Sequence, residues 1–162
     1  NLKIIDTGES TMTGGRILRL KSFFEKDENF FMTYGDGLCS INLNDLTNFH
    51  KKNGKIATVT AVHPPVRFGE LEIQGDKVTK FEEKPQASAG WINGGYFVLK
   101  SDVFDYIDND QTLFEKEPMT RLYQKNNLNA YKHEGFWKCM DTLRDKIDLE
   151  QILKDKGAIW KK

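Results

Sequence analysis

The chain of 162 residues is short of several things, and each shortage excludes a class of protein. Its two cysteines, Cys39 and Cys139, are too few for a disulfide framework and have no zinc-ligand spacing around them. They read as two reduced thiols. Only four prolines occur and there is no low-complexity tract, so nothing marks a domain boundary and residues 1–162 are read as one domain. Charge of either sign is in no excess: Lys plus Arg is 24 and Asp plus Glu is 24. A balanced chain gives no electrostatic case for nucleic acid or for an acidic membrane surface. No apolar run approaches the ~18 residues of a membrane span. No basic segment followed by an apolar stretch opens the chain, so a cytoplasmic location is expected. What is present is globular: the hydrophobic residues make up 38%, and glycine raises the apolar share to about 46%, inside the usual range.

Apolar spacing supplies an outline of the elements. Leu2–Ile5 reads as a strand, residues 6–15 as a Gly/Ser/Thr loop, and Ile17, Leu18, Leu20 and Phe24 as the apolar side of a helix over Gly15–Lys26. Phe30–Thr33 is a strand stopped by Gly35-Asp36-Gly37. Leu43, Leu46 and Phe49 space as a helix closed by Asn53-Gly54. Ile56–Val62 is a β-branched strand, and Gly69–Ile73 with Lys77–Phe81 forms a hairpin around a three-residue loop, Gln74-Gly75-Asp76. Tyr96–Leu99 is a strand, Ser101 caps a helix through Ile107, and Leu113–Gln124 is helical with Pro118 at a start or a break. Asn129–Lys132 and Phe136–Cys139 are strands, and Thr142–Lys156 is a charged helix ending at Gly157. Alternating strands and helices with an inserted hairpin predict an α/β domain with a mixed sheet. Its ligands are expected beyond the carboxyl ends of strands.

Two segments have that placement and useful chemistry. In Tyr34-Gly35-Asp36-Gly37, glycines on both sides of a carboxylate let a ligand come close, and a strand-end Asp is a hard oxygen ligand suited to Mg²⁺. Read blandly, the segment is an Asp-Gly turn. In Met140-Asp141-Thr142, Asp141 is either the N-cap of the following helix or a second metal ligand, 105 residues from Asp36. Lys84, in Glu82-Glu83-Lys84-Pro85, is held extended by Pro85 and can meet a phosphate as a point charge, or belong to a solvated charge run. Asn93, in Trp91-Ile92-Asn93-Gly94-Gly95, offers an amide to a sugar hydroxyl, or caps a loop. Ser10–Arg16 precedes a helix, where backbone N–H groups and the Arg16 fork suit an anion, though no Gly-Lys-Ser/Thr follows. Asp6-Thr7-Gly8 matches the aspartic-protease tripeptide but occurs once, is followed by Glu9, and sits in an α/β pattern, so that class is excluded. His50, His63 and His133 read as structural or surface residues.

Taken together, IDTGESTMTGGR, FMTYGDG, HPPVRFGELEI, FEEKP, WINGGYFVL and GFWKCMDTLRDK run in order along nearly the whole chain. In this the sequence resembles the glucose-1-phosphate cytidylyltransferases of the nucleotide-sugar pyrophosphorylase superfamily. The resemblance implies a Rossmann-like nucleotidyltransferase domain and the Mg²⁺-dependent reaction of CTP with glucose 1-phosphate to CDP-glucose and pyrophosphate, serving polysaccharide precursors. By motif, it puts the metal on Asp36 and Asp141, the sugar phosphate on Lys84, the hexose on Glu83 and Asn93, and the nucleotide on Arg16. It also implies a homo-oligomer. The family's opening Leu-Ala-Gly-Gly-x-Gly-Thr-Arg loop has no counterpart here, so the chain resembles the family's C-terminal portion, without its N-terminal strands. Asn1 as first residue agrees with that, and turnover by these 162 residues alone is not expected. An uncovered sheet edge and apolar face are expected to promote self-association. Other readings remain open at this point: a sugar-1-phosphate nucleotidyltransferase using UTP, dTTP or GTP, or a non-catalytic sugar-nucleotide-binding module.

Overall fold

A computed structural model describes residues 2–26, 28–64, 70–82 and 90–161. Its helices are α1 (Thr13–Leu18), α2 (Leu43–Asn53), α3 (Glu117–Gln124) and α4 (Leu143–Lys156). Its strands are β1 (Asn29–Thr33), β2 (Gly37–Cys39), β3 (Ala57–Val62), β4 (Glu70–Gln74), β5 (Lys77–Glu82), β6 (Ile92–Lys100), β7 (Leu128–His133) and β8 (Trp137–Cys139). Four strands form one sheet in the order β1-β6-β3-β7, and β2-β8 and β4-β5 form two-stranded ribbons. The non-sequential order of the larger sheet requires crossovers, and the expected α/β class is the class observed. The chain divides into two compact units, which are described in turn.

The first unit comprises Asn1–Met32, Asn44–Val59 and Phe97–Ala130. Helix α2 turns Leu46 and His50 inward one turn apart, with Asp45 in its first turn and Lys51 and Lys52 in its last, as the helix dipole favours. His50 is fully buried. Its Nε2 donates to Asn29 Oδ1 (3.1 Å) and its Nδ1 accepts from the Thr58 hydroxyl (2.8 Å), which satisfies a neutral ring. Burial, helped by the Lys100 charge, pushes its pKa down. Phe24 stacks on Phe30 at 4.1 Å and Phe30 on Phe104 at 5.8 Å, while Phe97 meets Phe114 edge-on at 5.7 Å. Val98, Leu99, Val103 and Leu122 fill the remaining interior.

The second unit comprises Thr33–Leu43, Thr60–Tyr96 and Tyr131–Lys162. Among its described residues, Cys39, Ile41, Ala61, Val62 and Leu149 are the buried apolar ones. The β4-β5 hairpin pairs Leu71 with Phe81 and Ile73 with Val78. These four apolar side chains share one face and are 48–66% exposed. Helix α4 is closed at its start by a reciprocal capping box, with the Thr142 hydroxyl accepting from Asp145 N–H and Asp145 Oδ2 accepting from Thr142 N–H. Lys138 Nζ reaches Asp148 at 2.8 Å and Asp145 at 3.9 Å, fastening α4 to β8.

Several local expectations are corrected. Leu2–Ile5 forms no strand; Leu2 and Ile4 lie open to solvent with no ladder to join. The helix expected over Gly15–Lys26 ends at Leu18 and tightens into a 3-10 turn at Lys21–Phe23, after which Phe24 becomes extended and stacks on Phe30. Ser101 does not cap an α-helix: Ser101–Tyr106 is a 3-10 helix whose flanking residue is Lys100. The helix expected from Leu113 starts at Glu117, with Pro118 in its first turn where no N–H is missed. The hairpin loop is two residues, with Gly75 at φ 59° and a bulge between Glu72 and Ile73, so one more residue pairs than the sequence pattern suggests.

Candidate active site

The second unit gathers three of the residues singled out in the sequence. Strands β2 and β8 pair antiparallel, with Gly37 opposite Cys139, Leu38 opposite Lys138 and Cys39 opposite Trp137. One step beyond that register, Met140 N–H donates to the Asp36 carbonyl at 2.8 Å. Asp36 and Asp141 therefore leave the same end of one ribbon, and both are exposed. The N-cap reading of Asp141 is corrected: Thr142 fills the cap, so the helix does not account for Asp141. The Asp141 carboxylate instead accepts from the Cys139 thiol at 3.2 Å. Burial, reinforced by Asp141 and Asp145, pushes the Cys139 thiol up to about 11, and burial alone does the same for Cys39. Both thiols are protonated at neutral pH and neither is a ready nucleophile.

Asn93 is placed by aromatic neighbours that the sequence pattern did not single out. Its Nδ2 donates to the Tyr34 hydroxyl at 3.3 Å and its Oδ1 accepts from Gly95 N–H at 2.8 Å, so both ends of the amide are oriented. Tyr34 N–H donates to the Gly95 carbonyl at 3.1 Å. The Tyr96 hydroxyl donates to the Gly37 carbonyl at 2.7 Å, and Trp137 Nε1 donates to the Gly94 carbonyl at 2.8 Å. Two successive carbonyls at this turn are thus pinned, that of Asp36 by Met140 N–H and that of Gly37 by the Tyr96 hydroxyl. The only advance signal for these clamps was that Tyr34 abuts the Gly35-Asp36-Gly37 turn. A cleft of about 140 Å³ opens here, lined by Tyr34, Asp36, Gly37, Asn93, Trp137 and Cys139 among others.

Arg16 belongs to the first unit. Its Nη1 donates to Thr7 Oγ1 at 2.8 Å and its Nη2 to the Glu9 carbonyl at 3.3 Å, so the exposed guanidinium braces its own loop. Several backbone N–H groups of that loop are spent within the protein. Met12 N–H donates to the Asp110 carbonyl, and Gly14 and Gly15 N–H both donate to the Thr112 carbonyl. The two glycines have an internal reason as well: a Cβ on Gly14 would lie 2.7 Å from the Thr112 carbonyl, and one on Gly15 would collide with Asp110. Asp6, of the protease-like tripeptide, accepts from Gly8 N–H at 2.8 Å and closes a turn. Glu83 and Lys84 lie outside the described residues.

The donor set at the ribbon end suits a hard divalent cation. Among the described residues no group of three or more His, Cys, Asp or Glu could hold a metal. A pair of carboxylates fits Mg²⁺, which takes one or two from the protein and completes its shell with water and phosphate oxygens. Among the described residues, no helix is long and apolar enough to cross a membrane.

A family profile described as nucleotidyl transferase matches residues 4–155. Glucose-1-phosphate cytidylyltransferase of Salmonella typhi is 48% identical over 161 residues, covering 99% of this chain and 63% of that protein. The Salmonella typhimurium protein of the same name is equally similar, at 48% over the same shares. The chain thus spans somewhat less than two thirds of the length of these relatives. Among solved structures, a UDP-glucose pyrophosphorylase complexed with UDP-glucose superposes with a TM-score of 0.68 at 15% identity, over 94% of this chain and 65% of that one. At that identity the likeness speaks for the fold.

Proposed function

From the premise that the chain belongs to the nucleotidyl transferase family, we propose that it serves in the Mg²⁺-dependent transfer of a cytidylyl group from CTP to glucose 1-phosphate, giving CDP-glucose and pyrophosphate. The observation that carries this reading is the β2-β8 register, which brings Asp36 and Asp141 from 105 residues apart to one ribbon end beside Asn93. The choice of cytosine and glucose rests on the relatives' 48% identity.

In the proposed reaction a phosphate oxygen of the sugar phosphate forms a bond to the α-phosphorus of CTP. The bond from that phosphorus to the bridging oxygen breaks, and the electron pair departs with pyrophosphate. No protein nucleophile takes part, which agrees with two thiols held protonated. The residues act by position. Asp36 and Asp141 would hold Mg²⁺, which when bound supplies charge neutralisation on the phosphates. Asn93, its amide fixed by Tyr34 and Gly95, would donate to a hexose hydroxyl. Glu83 with the hexose, Lys84 with the sugar phosphate and Arg16 with the nucleotide complete the proposed set. A homo-oligomer belongs to the same proposal, supported by the exposed apolar face of the hairpin.

The test is calorimetric titration with CDP-glucose, with and without Mg²⁺, beside pyrophosphate release from glucose 1-phosphate with CTP, UTP, dTTP and GTP in turn. Mg²⁺-dependent binding of CDP-glucose is the expected result for these 162 residues, and any release that is seen should be led by CTP. Release led by another nucleotide transfers the chain to another branch of the family. Binding indifferent to Mg²⁺, with no release, marks a non-catalytic module.

A further inference from the structure

The glycines of the second unit differ in why they are glycine. Gly95 is required by the protein itself: its φ is 78°, and a Cβ there would lie 2.8 Å from the Tyr34 ring. Gly94 is likewise enclosed, with a Cβ landing 2.9 Å from Val62 Cγ1. Gly37 has neither reason. Its φ lies outside the left-handed region, and a Cβ would find no atom of the chain closer than 3.9 Å. At that distance stand the Gly94 carbonyl, Trp137 Nε1 and Tyr96 Cε2, so the missing side chain would stand in the cleft beside Asp36. Gly37 lies in a strand, where glycine forfeits chain entropy and side-chain packing that another residue would recover.

We propose that Gly37 is a specificity-determining residue: the room over its Cα is kept for the sugar-1-phosphate, whose ring edge lies against it while Asn93 donates to a hydroxyl. This rests on the proposed function and adds to it a steric limit that neither charge nor hydrogen bonding supplies. The walls of the space suit a hydroxylated ring. Tyr34 and Trp137 offer apolar faces, and the Asn93 amide and Asp36 carboxylate offer polar atoms. The Trp137 Nε1 bond to the Gly94 carbonyl and the Asn93 Nδ2 bond to the Tyr34 hydroxyl hold those walls in place within the protein.

The experiment is Gly37→Ala and Gly37→Val, with Gly95→Ala as the structural control. Thermal unfolding is measured beside calorimetric titration with glucose 1-phosphate in Mg²⁺ and with Mn²⁺ alone. The expected result for Gly37→Ala is an unfolding midpoint unchanged or slightly raised and Mn²⁺ affinity within about twofold. Glucose 1-phosphate binds about tenfold more weakly, the size of a one-methyl overpacking, and more weakly still in Gly37→Val. Gly95→Ala lowers the midpoint. Undiminished glucose 1-phosphate binding by Gly37→Ala overturns the proposal while leaving the proposed function intact. A midpoint lowered as far as in Gly95→Ala also overturns it, by making Gly37 a structural glycine. If the unsubstituted protein binds no glucose 1-phosphate, both readings fall together.

Discussion

The two units of the molecule use their residues differently. In the first, Phe97, Leu99, Phe114 and Leu122 are fully buried, and even the polar His50 has both ring nitrogens bonded. In the second, the apolar residues of the hairpin and much of α4 stay exposed: Leu143 is 73% exposed where Leu149 is 6%. The carboxylates and the amide of the candidate site stand in that second unit, braced by hydrogen bonds that involve Tyr34, Tyr96, Trp137 and Met140. Hydrophobic burial is non-directional and stabilises without aiming anything, whereas hydrogen bonds to particular carbonyls aim a side chain while burying little. The first unit therefore carries fold stability and the second carries orientation.

The strongest way to break that contrast is to empty the first unit. Phe114→Ala removes a fully buried ring and its edge contact with Phe97, and is expected to cost about 3–5 kcal/mol in chemical denaturation. A loss below about 1 kcal/mol would mean the core is not where the stability resides. Next comes Asp36→Asn in the second unit, which keeps the size of an exposed side chain and removes its charge. Mg²⁺-dependent binding of CDP-glucose should weaken about tenfold or more while the unfolding midpoint stays put. A shift in midpoint with binding retained would reverse the roles assigned to the two units.

The smallest expected effect sharpens the comparison through pH. Burial depresses the His50 pKa in the folded chain, so below about pH 6.5, the ordinary histidine value, the unfolded chain binds more protons than the folded one. The stabilising contribution of neutral His50 is complete above that pH and is lost as pH falls toward the depressed folded value. Denaturation midpoints at pH 7.5 and pH 5 should differ more in the unsubstituted chain than in His50→Gln. Equal pH dependence in the two would show that His50 does not carry the effect.

Much of the fold was legible because its signals are local. The Leu43, Leu46 and Phe49 spacing of α2 and the β-branched run of β3 act between residues close in the chain, and both elements appear where the pattern puts them; the hairpin does too, with a loop one residue shorter than the pattern suggests. Element ends were less legible. The helix after Gly15 has enough apolar residues to run on to Lys26, but Phe24 is worth more stacked on Phe30 than continuing a helix, and that partner is a tertiary fact. Asp141 and Thr142 are both good capping residues, and composition could not choose between them. The capping box with Asp145 made the choice, because with Thr142 in the cap its hydroxyl accepts from Asp145 N–H while its own N–H donates to the Asp145 carboxylate.

The amino-acid sequence by itself determined the α/β class and which side chains carry charge or an amide at strand ends, and its motifs carried the resemblance to the family. These follow from residue type and short-range order, which survive without any packing. Only the tertiary structure decided that Asp36 and Asp141 leave one ribbon end, that Arg16 and the glycine loop are occupied with their own unit, and that Gly95 is filled by Tyr34 while Gly37 is not. Those depend on strand register and on which atoms lie within a few ångströms across long stretches of chain, and a linear pattern carries no measure of such distances.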